Sequence, residues 1–508
     1  MIMVMIVNYP IYLFCLLILT EYCLLKLNRH FKLVNLLVYL QIILLIFSSL
    51  ILVFYYYDLT IIVGILTVYR ITNLYFHFNQ ESNPSLKLKG SLKTSLNLSL
   101  IQLALILIQL VLSYNLITNL VLINYLSVII LIILLGLSLK LVKTSHKLKP
   151  PRVSVHYYDK DLPTVSVLIP ARNESDNLFR CLESLVASDY PKLEILVLDD
   201  CSQNKNTAEI IKSFAHQGVV FVEGQMPPDN WLAKNYAYQQ LFEQSNGDIL
   251  LFCGVDMIFN KHSIRSMVEL MLSQKDNLIS FLPRNYFNKN KILANFNYQV
   301  IRYNFEVMLS GIINKKPGSL TSCWMIDAKT LHNLDGFNRL KRNLLPEKSL
   351  AKAMVDNQLK YRFYESGKYI DLISNKDLND QKDTAIRLNF PKLNQQIGNL
   401  ALISLFDLVL FILPFILIFV GLLSSNYFLS IVSILSFIVS IFYFDTLMKI
   451  TYHHLFRFLG IFYFIYIYYD IYVNHKSMIS YLTSNVSWKE RNICLPYSEN
   501  NQTSYLEL

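Results

Sequence analysis

Apolar segments long enough to cross a bilayer constrain this chain more than any other feature of its sequence. A transmembrane helix needs about 20 mostly apolar residues. Such segments lie at residues 2–25, 33–57, 96–115 and 117–142, with a shorter one at 60–77 that contains Arg70. Two more follow near residues 400–424 and 427–446. Because 53% of the residues are hydrophobic and only 16% are charged, the sequence predicts a multi-pass membrane protein.

Basic residues cluster beside these segments and predict their orientation. Cytoplasmic flanks of membrane spans carry an excess of Lys and Arg. Five N-terminal spans with an outside N-terminus place each of three basic clusters inside: Lys26, Arg29, His30 and Lys32; Arg70, Lys87, Lys89 and Lys93; Lys140, Lys143, Lys147, Lys149 and Arg152. The net charge of +10 is thus explained by membrane flanks. No basic run interleaved with aromatic residues indicates a nucleic-acid partner.

A further apolar segment near the C-terminus, residues 453–473, is dense in Tyr and Phe. Aromatic residues favour the membrane interface. If this segment crossed, the tail with Lys476, Lys489 and Arg491 would lie outside, against the charge rule. We therefore expect a segment that does not fully cross. The apolar segments hold few ionisable residues and no internal repeat, which argues against a transporter.

The middle of the chain is polar and alternates between strand and helix patterns. The runs at 164–170, 193–199, 218–223 and 248–253 are typical of buried strands. Between the first two, Leu178, Leu182 and Leu185 share one face of a predicted helix. This alternation predicts an α/β domain with a mainly parallel sheet. Seven scattered cysteines without a C-x-x-C pair argue against a disulfide framework or zinc site and fit a reducing compartment.

The change in composition predicts four parts of the chain. Residues 1–145 form an N-terminal transmembrane region of about five spans, and residues 146–398 form the α/β domain. Residues 399–475 hold C-terminal transmembrane or interfacial helices, and residues 476–508 form a cytosolic tail. The cytosolic domain is therefore expected to be inserted between two groups of transmembrane helices.

Polar residues follow the first two predicted strands. The loop Ala171-Arg172-Asn173-Glu174 follows one, and Asp199-Asp200-Cys201-Ser202 ends the other. Open α/β sheets bind ligands outside the carboxyl ends of their strands. An acid there can accept hydrogen bonds from a nucleobase N–H or from ribose hydroxyls. The alternative is that these acids only cap solvated turns.

Two more candidates come later in the domain. Lys234 lies near the start of a predicted helix, where it could contact a diphosphate. Asp256 follows the fourth strand, and such an acid can hold Mg²⁺ or Mn²⁺, which in turn binds phosphate oxygens. The alternatives are an ordinary surface Lys and a turn-forming Asp.

Taken in order, these motifs resemble those of membrane-bound family 2 glycosyltransferases with a GT-A, Rossmann-like α/β fold. The nearest likeness is to the bacterial branch with staphyloxanthin-type and hopanoid-associated enzymes. The likeness covers residues 160–495, and the four spans within the first 115 residues lie outside it. It rests on "VSVLIPARNE", "LDDCS", "NWLAKNYA", "GDILLFCGVDM", "CWMIDAKTLHNLDGF", "PEKSLAKAM" and "SNVSWKERN".

The resemblance implies a role for each matching residue. Asp200 would contact the nucleobase, with Arg172, Glu174 and Asp199 nearby. Three further residues would have roles in the reaction: Lys234 near the diphosphate, Asp256 as the metal ligand, and Glu347 on the acceptor side. The implied reaction is an inverting hexosyl transfer from a nucleotide sugar, most simply a UDP-sugar. Its acceptor would be a lipid or envelope polymer at the cytoplasmic side of a bacterial cell membrane.

The sequence also departs from the family pattern. The family's D-A-D is Gly254-Val255-Asp256 here, and its E-D pair, whose Asp is the usual base, is Glu347-Lys348. Losing two acids and gaining an ammonium raises the local charge by about three units, which weakens a divalent-cation site. Lys348 is a base at neutral pH only if its pKa is strongly lowered, so Glu347 is the remaining candidate. The alternatives are Lys348 as a phosphate partner in metal-independent transfer, or a degenerate relative that serves as a membrane scaffold in envelope biosynthesis.

Overall fold

The computed structural model describes residues 116–494, except 153–156, 286–299, 301–302, 305–306, 309–321, 368 and 453–458. The predicted spans at 2–25, 33–57, 60–77 and 96–115 lie outside the described residues. The described residues fall into two compact units. One unit holds residues 116–135, 392–440 and 474–484, and the other holds the described parts of 136–391, 441–473 and 485–494.

Twelve strands occur among the described residues. They are β1 Val165–Ala171, β2 Leu193–Asp199, β3 Val219–Glu223, β4 Ile249–Cys253, β5 Met257–Phe259, β6 Leu278–Leu282, β7 Arg284–Asn285, β8 Cys323–Asp327, β9 Tyr361–Glu365, β10 Leu372–Ser374, β11 Ser487–Trp488 and β12 Arg491–Asn492. The main sheet has the order β3-β2-β1-β4-β8-β6-β9. Only β8 is antiparallel to its neighbours in this sheet, which confirms the predicted mainly parallel α/β domain.

Twelve α-helices of the described residues accompany these strands. They are α1 Leu116–Leu148, α2 Asp176–Val186, α3 Asn206–Ser213, α4 Ala233–Gln244, α5 Ser263–Gln274, α6 Ala328–Asn333, α7 Pro346–Asp356, α8 Leu378–Lys392, α9 Ile397–Asp407, α10 Leu413–Leu423, α11 Tyr427–Tyr452 and α12 Tyr463–Leu482. A π-helical turn at Leu408–Ile412 joins α9 to α10. The helices α2 to α7 belong to the α/β unit.

The central strands form because their side chains are apolar on both faces. All five residues of β4 and six of the seven residues of β1 are buried. Such continuous apolar runs are typical of parallel strands covered by helices on both sides. The amphipathic helix α2 covers one side through Leu178, Leu182 and Leu185, as predicted, together with Cys181.

The strands separate two hydrophobic cores. On one side Val167, Ile169 and Leu251 pack with α2 and α5. On the other side Leu168 and Phe252 pack with α4 and α7. Successive side chains of a strand point to opposite faces, so β1 contributes to both cores. The rigid sheet that results holds the loops at its carboxyl edge, where the candidate site lies.

Three described helical stretches are long and apolar enough to cross a membrane: Leu122–Leu148, Ile397–Leu423 and Tyr427–Tyr452. They match the predicted spans at 117–142, 400–424 and 427–446. Each exposes large apolar side chains, such as Ile132, Phe419 and Ile431, which water disfavours and lipid accepts. The helix α12 overlaps the second half of the predicted interfacial segment, residues 453–473. It is not among the three stretches.

Candidate active site

The loops after β1 and β2 form one edge of the candidate site. The strands end together, since Ala171 pairs with Asp199. The Arg172 Nη1 donates to the carbonyl of Asp200 at 2.8 Å, and the backbone N–H of Asn173 donates to Ser202 Oγ at 2.9 Å. The two loops therefore lie side by side at the sheet edge, as predicted, and hydrogen bonds join them.

Within these loops, Asp199 and Glu174 have different partners. The Asp199 Oδ1 accepts hydrogen bonds from the backbone N–H and the hydroxyl of Ser202, at 3.1 and 2.5 Å. Asp199 thus stabilises its own turn. The Glu174 carboxylate lies 3.0 Å from Lys489 Nζ. Burial raises the pKa of Glu174, and the Lys489 ammonium opposes that shift.

Asp200 is almost fully buried, and Arg491 holds it. The Arg491 Nη1 lies 2.7 Å from both carboxylate oxygens of Asp200, while its Nη2 donates to the Asp200 carbonyl at 3.1 Å. The side chains are 2% and 7% exposed. Burial raises the pKa of the Asp200 carboxyl, and the Arg491 guanidinium opposes that rise. The Asp200 carboxylate, which was expected to contact a nucleobase, is thus paired with Arg491 of the C-terminal segment.

The turn after β4 positions Asp256. Its Oδ2 accepts a hydrogen bond from Ser374 Oγ at 2.9 Å, and its carbonyl accepts one from the backbone N–H of Asn375 at 2.8 Å. A Cβ on Gly254 would lie 2.7 Å from Asp256 Oδ1. The Asp256 carboxylate therefore lies where a side chain at position 254 would begin, so an acid there would displace it.

Lys234 and Glu347 form an ion pair between the first turns of α4 and α7. The Nζ–Oε1 distance is 2.5 Å, and the side chains are 19% and 3% exposed. The second carboxylate oxygen of Glu347 has no hydrogen-bond partner among the described residues. The Lys234 ammonium also lies 5.0 Å from the ring centroid of Tyr238, within cation–π range. The neighbouring Lys348 is buried as well.

A cavity of about 390 Å³ lies at this edge of the sheet. That volume is within the range of ligand pockets, roughly 300–1,000 Å³. Three predicted site residues line it: Glu174, Lys234 and Asp256. Further side chains that line it come from the segment between β10 and α8, from α8, and from β11 with the turn that follows it, and their ionic members are Lys376, Asp380, Asp383, Arg387, Lys489 and Glu490.

The remaining predicted residues lie beside this cavity without lining it. Arg172, Asp199 and Asp200 organise the loops, and Glu347 contacts the cavity-lining Lys234. Sequence reasoning missed the acids and bases of α8. A polar helical pattern directly before the apolar segment at 400–424 was the available signal for them.

The residues present fit a divalent cation only in part. Among the described residues, no group of three His, Cys, Asp or Glu side chains could hold a metal ion. Mg²⁺ commonly binds through one or two carboxylates together with substrate phosphates. Asp256 can supply one such carboxylate at the cavity. The other ligands would have to come from a bound diphosphate and water.

Comparison with known proteins places this domain among glycosyltransferases. Residues 166–334 match the family model described as glycosyl transferase family 2. The chain is 34% identical to the probable glycosyltransferase YdaM of Bacillus subtilis (strain 168) over 22% of this chain and 26% of the relative. It is 32% identical to the 4,4'-diaponeurosporenoate glycosyltransferase of Staphylococcus haemolyticus (strain JCSC1435) over 22% of this chain and 29% of that relative.

The matches span about a quarter to a third of these relatives' lengths. Among solved structures, the mannosyltransferase PcManGT from Pyrobaculum calidifontis, in complex with GDP-Man and Mn²⁺, aligns with a TM-score of 0.41 and 13% identity. That alignment covers 73% of this chain and all of the other. The family match contains six of the seven predicted site residues, all but Glu347. Residues 166–334 are therefore similar to the glycosyl transferase family 2 domains.

Proposed function

We propose that this protein transfers a sugar from a nucleotide-sugar donor to a hydroxyl acceptor. The observation that carries the proposal is that Asp256 and Lys234 line the same cavity. Both residues lie in the region that matches the family 2 model, and Glu347 pairs with Lys234. A nucleotide sugar has a dianionic diphosphate, which needs cationic partners. Two such cations, Lys234 and Lys376, line the cavity.

The residues take the following roles in the proposal. Glu174 and Asp199 lie on the nucleotide side, where Arg172 and Asp200 hold the loops. Lys234 neutralises part of the diphosphate charge. Because its ammonium also pairs with Glu347, donor binding would be coupled to the position of the Glu347 carboxylate.

Glu347 is the proposed base. Its Oε2 accepts no hydrogen bond from the described residues and is buried beside the cavity rather than exposed in it. The proposal therefore requires that the acceptor hydroxyl, directly or through one water, reaches this oxygen and gives it a proton. The acceptor oxygen then forms a bond to the anomeric carbon of the donor. The bond from that carbon to the diphosphate breaks, and its electron pair leaves with the diphosphate. Attack opposite the leaving group inverts the anomeric configuration.

Mg²⁺ or Mn²⁺ is part of the proposal only at Asp256. A bound ion would neutralise charge on the diphosphate as it leaves. Lys234, Lys376 and Arg387 offer fixed positive charge at the same cavity. Because Asp380, Asp383 and Glu490 line this cavity as well, its positive charge is partly offset, and we expect donor binding to keep some dependence on the ion.

We further propose that the protein is an integral membrane enzyme with a cytoplasmic catalytic domain and a lipid or envelope-polymer acceptor. Three apolar helical stretches support the membrane. One relative is named for 4,4'-diaponeurosporenoate as its substrate, which supports an apolar acceptor. The basic residues after α1, such as Lys140, Lys143 and Lys149, support the orientation.

The test is transfer of radiolabel from a panel of UDP- and GDP-sugars into membrane lipid or polymer by the detergent-purified protein. Incorporation that is lost in Glu347→Gln would support the proposal. No incorporation from any donor, by protein shown to be folded, would count against it. The scaffold alternative predicts that Asp256→Ala and Glu347→Gln leave the cellular phenotype intact.

A further inference from the structure

The short strands β11 and β12 form a hairpin whose turn adopts a strained backbone. We call residues 487–492 the tail hairpin. Its two turn residues, Lys489 and Glu490, both have positive φ angles, 49° and 67°. Two-residue turns of this kind favour Asn and Gly. Residues other than Asn and Gly hold positive φ angles only where surrounding contacts stabilise them. The contacts that the hairpin makes with the rest of the domain therefore stabilise its turn.

Those contacts go to the predicted nucleotide-binding loops. The Arg491 Nη1 lies 2.7 Å from both carboxylate oxygens of Asp200, and its Nη2 donates to the Asp200 carbonyl. The Lys489 ammonium lies 3.0 Å from Glu174, and the Lys489 carbonyl accepts a hydrogen bond from Arg172 Nε at 3.0 Å. Three residues predicted to bind the nucleotide are therefore bound to the tail hairpin.

A fourth contact continues this series along the β1 loop. The Asn173 amide donates to Glu490 Oε2 at 2.9 Å. The tail hairpin thus meets both loops, through residues that are about 290 to 320 positions apart in sequence. The Asp200–Arg491 pair is the most buried of these contacts, with both side chains less than 10% exposed.

The docked hairpin leaves the cavity open and faces it. Trp488 and Lys489 line the cavity together with Asp256 and Lys234. The Arg387 guanidinium carbon lies 5.7 Å from the Trp488 ring centroid, so this indole is held in place from α8. A segment that only blocked the site would fill this space. The hairpin instead adds a cation and an aromatic ring to it.

We propose that the tail hairpin is one side of the donor site, an inference that rests on the proposed function. Asp200 anchors the hairpin through Arg491 and does not itself contact the nucleobase. Arg491 is thus a positioning residue. Lys489 and Trp488 are the donor-binding groups that it positions, the first for phosphate charge and the second for stacking on a base or sugar ring.

The experiment measures nucleotide affinity by calorimetry on the full chain in detergent, with UDP and GDP as probes. We compare the wild type with Arg491→Ala, Arg491→Lys and Lys489→Ala. The matched control is Arg362→Ala, which removes the ion pair with the buried Asp276 in the same unit. Hydrogen exchange of residues 486–493 is followed in parallel, because the Ile493 N–H donates to the Val486 carbonyl across the hairpin base.

We expect Arg491→Ala to weaken binding about ten- to hundredfold, the loss for a charged hydrogen-bonded pair, and to speed exchange across 486–493. Lys489→Ala should weaken binding with a smaller increase in exchange than Arg491→Ala, because its ion pair with Glu174 is more exposed than Asp200–Arg491, and Arg362→Ala should change neither. Arg491→Lys keeps the charge but lacks the second nitrogen, which donates to the Asp200 carbonyl, so its affinity should fall between. Unchanged or tighter binding in Arg491→Ala would overturn the proposal, the tighter case showing a blocking segment.

Failure of the proposed function has a separate signature. If the wild type binds neither UDP nor GDP, the donor class is wrong, and with it the assigned ligand of Lys489 and Trp488. Exchange then still decides the anchoring. Faster exchange in Arg491→Ala supports Asp200–Arg491 as the anchor of the hairpin. Exchange equal to that of the wild type removes that anchor and overturns the inference.

Discussion

Lys234 Nζ lies 2.5 Å from Glu347 Oε1, and the pair joins two helices that are 113 residues apart in the chain. Glu347 is 3% exposed and Lys234 is 19% exposed. Removing one partner of such a pair leaves the other charge without compensation in a poorly solvated place. The pair therefore matters to the stability of the domain as well as to the proposed reaction.

We expect Lys234→Met to lower the free energy of unfolding by roughly 2–4 kcal/mol, because it leaves the Glu347 carboxylate buried and uncompensated. The double variant Lys234→Met/Glu347→Gln should be more stable than Lys234→Met alone, since it removes that charge. Thermal unfolding of the detergent-solubilised protein measures both. The single variant Glu347→Gln completes the comparison. If the double variant loses as much unfolding free energy as the two single variants together, the two charges do not interact.

Glu347→Gln should abolish most sugar transfer while donor binding remains within a few-fold of the wild type. The amide keeps the shape of the carboxylate but cannot accept the acceptor proton, and a general base contributes about 10²- to 10⁴-fold. Single-turnover transfer and calorimetric binding separate the two effects. If transfer persists at the wild-type rate, Glu347 is not the base, and Lys348 or another group has to be tested.

Gly254→Ala should weaken donor binding about fivefold and lower the free energy of unfolding by about 1 kcal/mol. The added Cβ would lie 2.7 Å from Asp256 Oδ1, so the carboxylate has to rotate away and lose its hydrogen bond from Ser374, worth about 1 kcal/mol. Ser374→Ala removes the same hydrogen bond and is the matched comparison. Equal affinity of both variants and the wild type would mean that the orientation of Asp256 does not affect the donor.

The stability of the domain should fall as the pH rises from about 4.5 to about 7 because of Glu365. Burial raises the pKa of this carboxyl from 4.5 to about 7, opposed by Lys149 and Lys449. The folded state therefore holds the proton more tightly than the unfolded state. Its contribution is complete below about pH 4.5 and is lost as the pH rises through 7.

The expected size of this effect is roughly 3 kcal/mol, from 1.36 kcal/mol per pKa unit. Glu365→Gln should flatten that part of the stability profile between pH 4.5 and 7.5. The comparison variant is Glu183→Gln, at an exposed position of α2, which should keep the wild-type slope. A Glu365→Gln profile parallel to that of the wild type would show that this carboxyl does not titrate in the window.

The sequence alone was sufficient for the first four strands of the α/β domain and for the mainly parallel character of its sheet. The strands β1, β2, β3 and β4 lie within one residue of their predicted ends, because continuous apolar runs bounded by turn residues are a local property of the chain. The apolar face of α2 follows from its periodicity in the same way. The apolar stretches after residue 116 were also evident from composition and length.

The chemistry of individual side chains needed the tertiary structure. The family resemblance implied a nucleobase contact for Asp200, but nothing in the sequence indicated that its carboxylate pairs with Arg491, 291 residues away. Sequence reasoning recorded Gly254 as a lost acid, whereas the structure places the Asp256 carboxylate in the space that a side chain there would need.

The physical reason is the distance along the chain between the residues that interact. Whether a residue enters a strand or a helix depends mainly on neighbours within a few positions, and the sequence displays them. An ion pair depends on where two distant segments meet and on the orientation of both side chains to within about an ångström. The sequence therefore determined the first four strands and the loops that follow them, and only the folded chain decided which charged side chains pair with those loops.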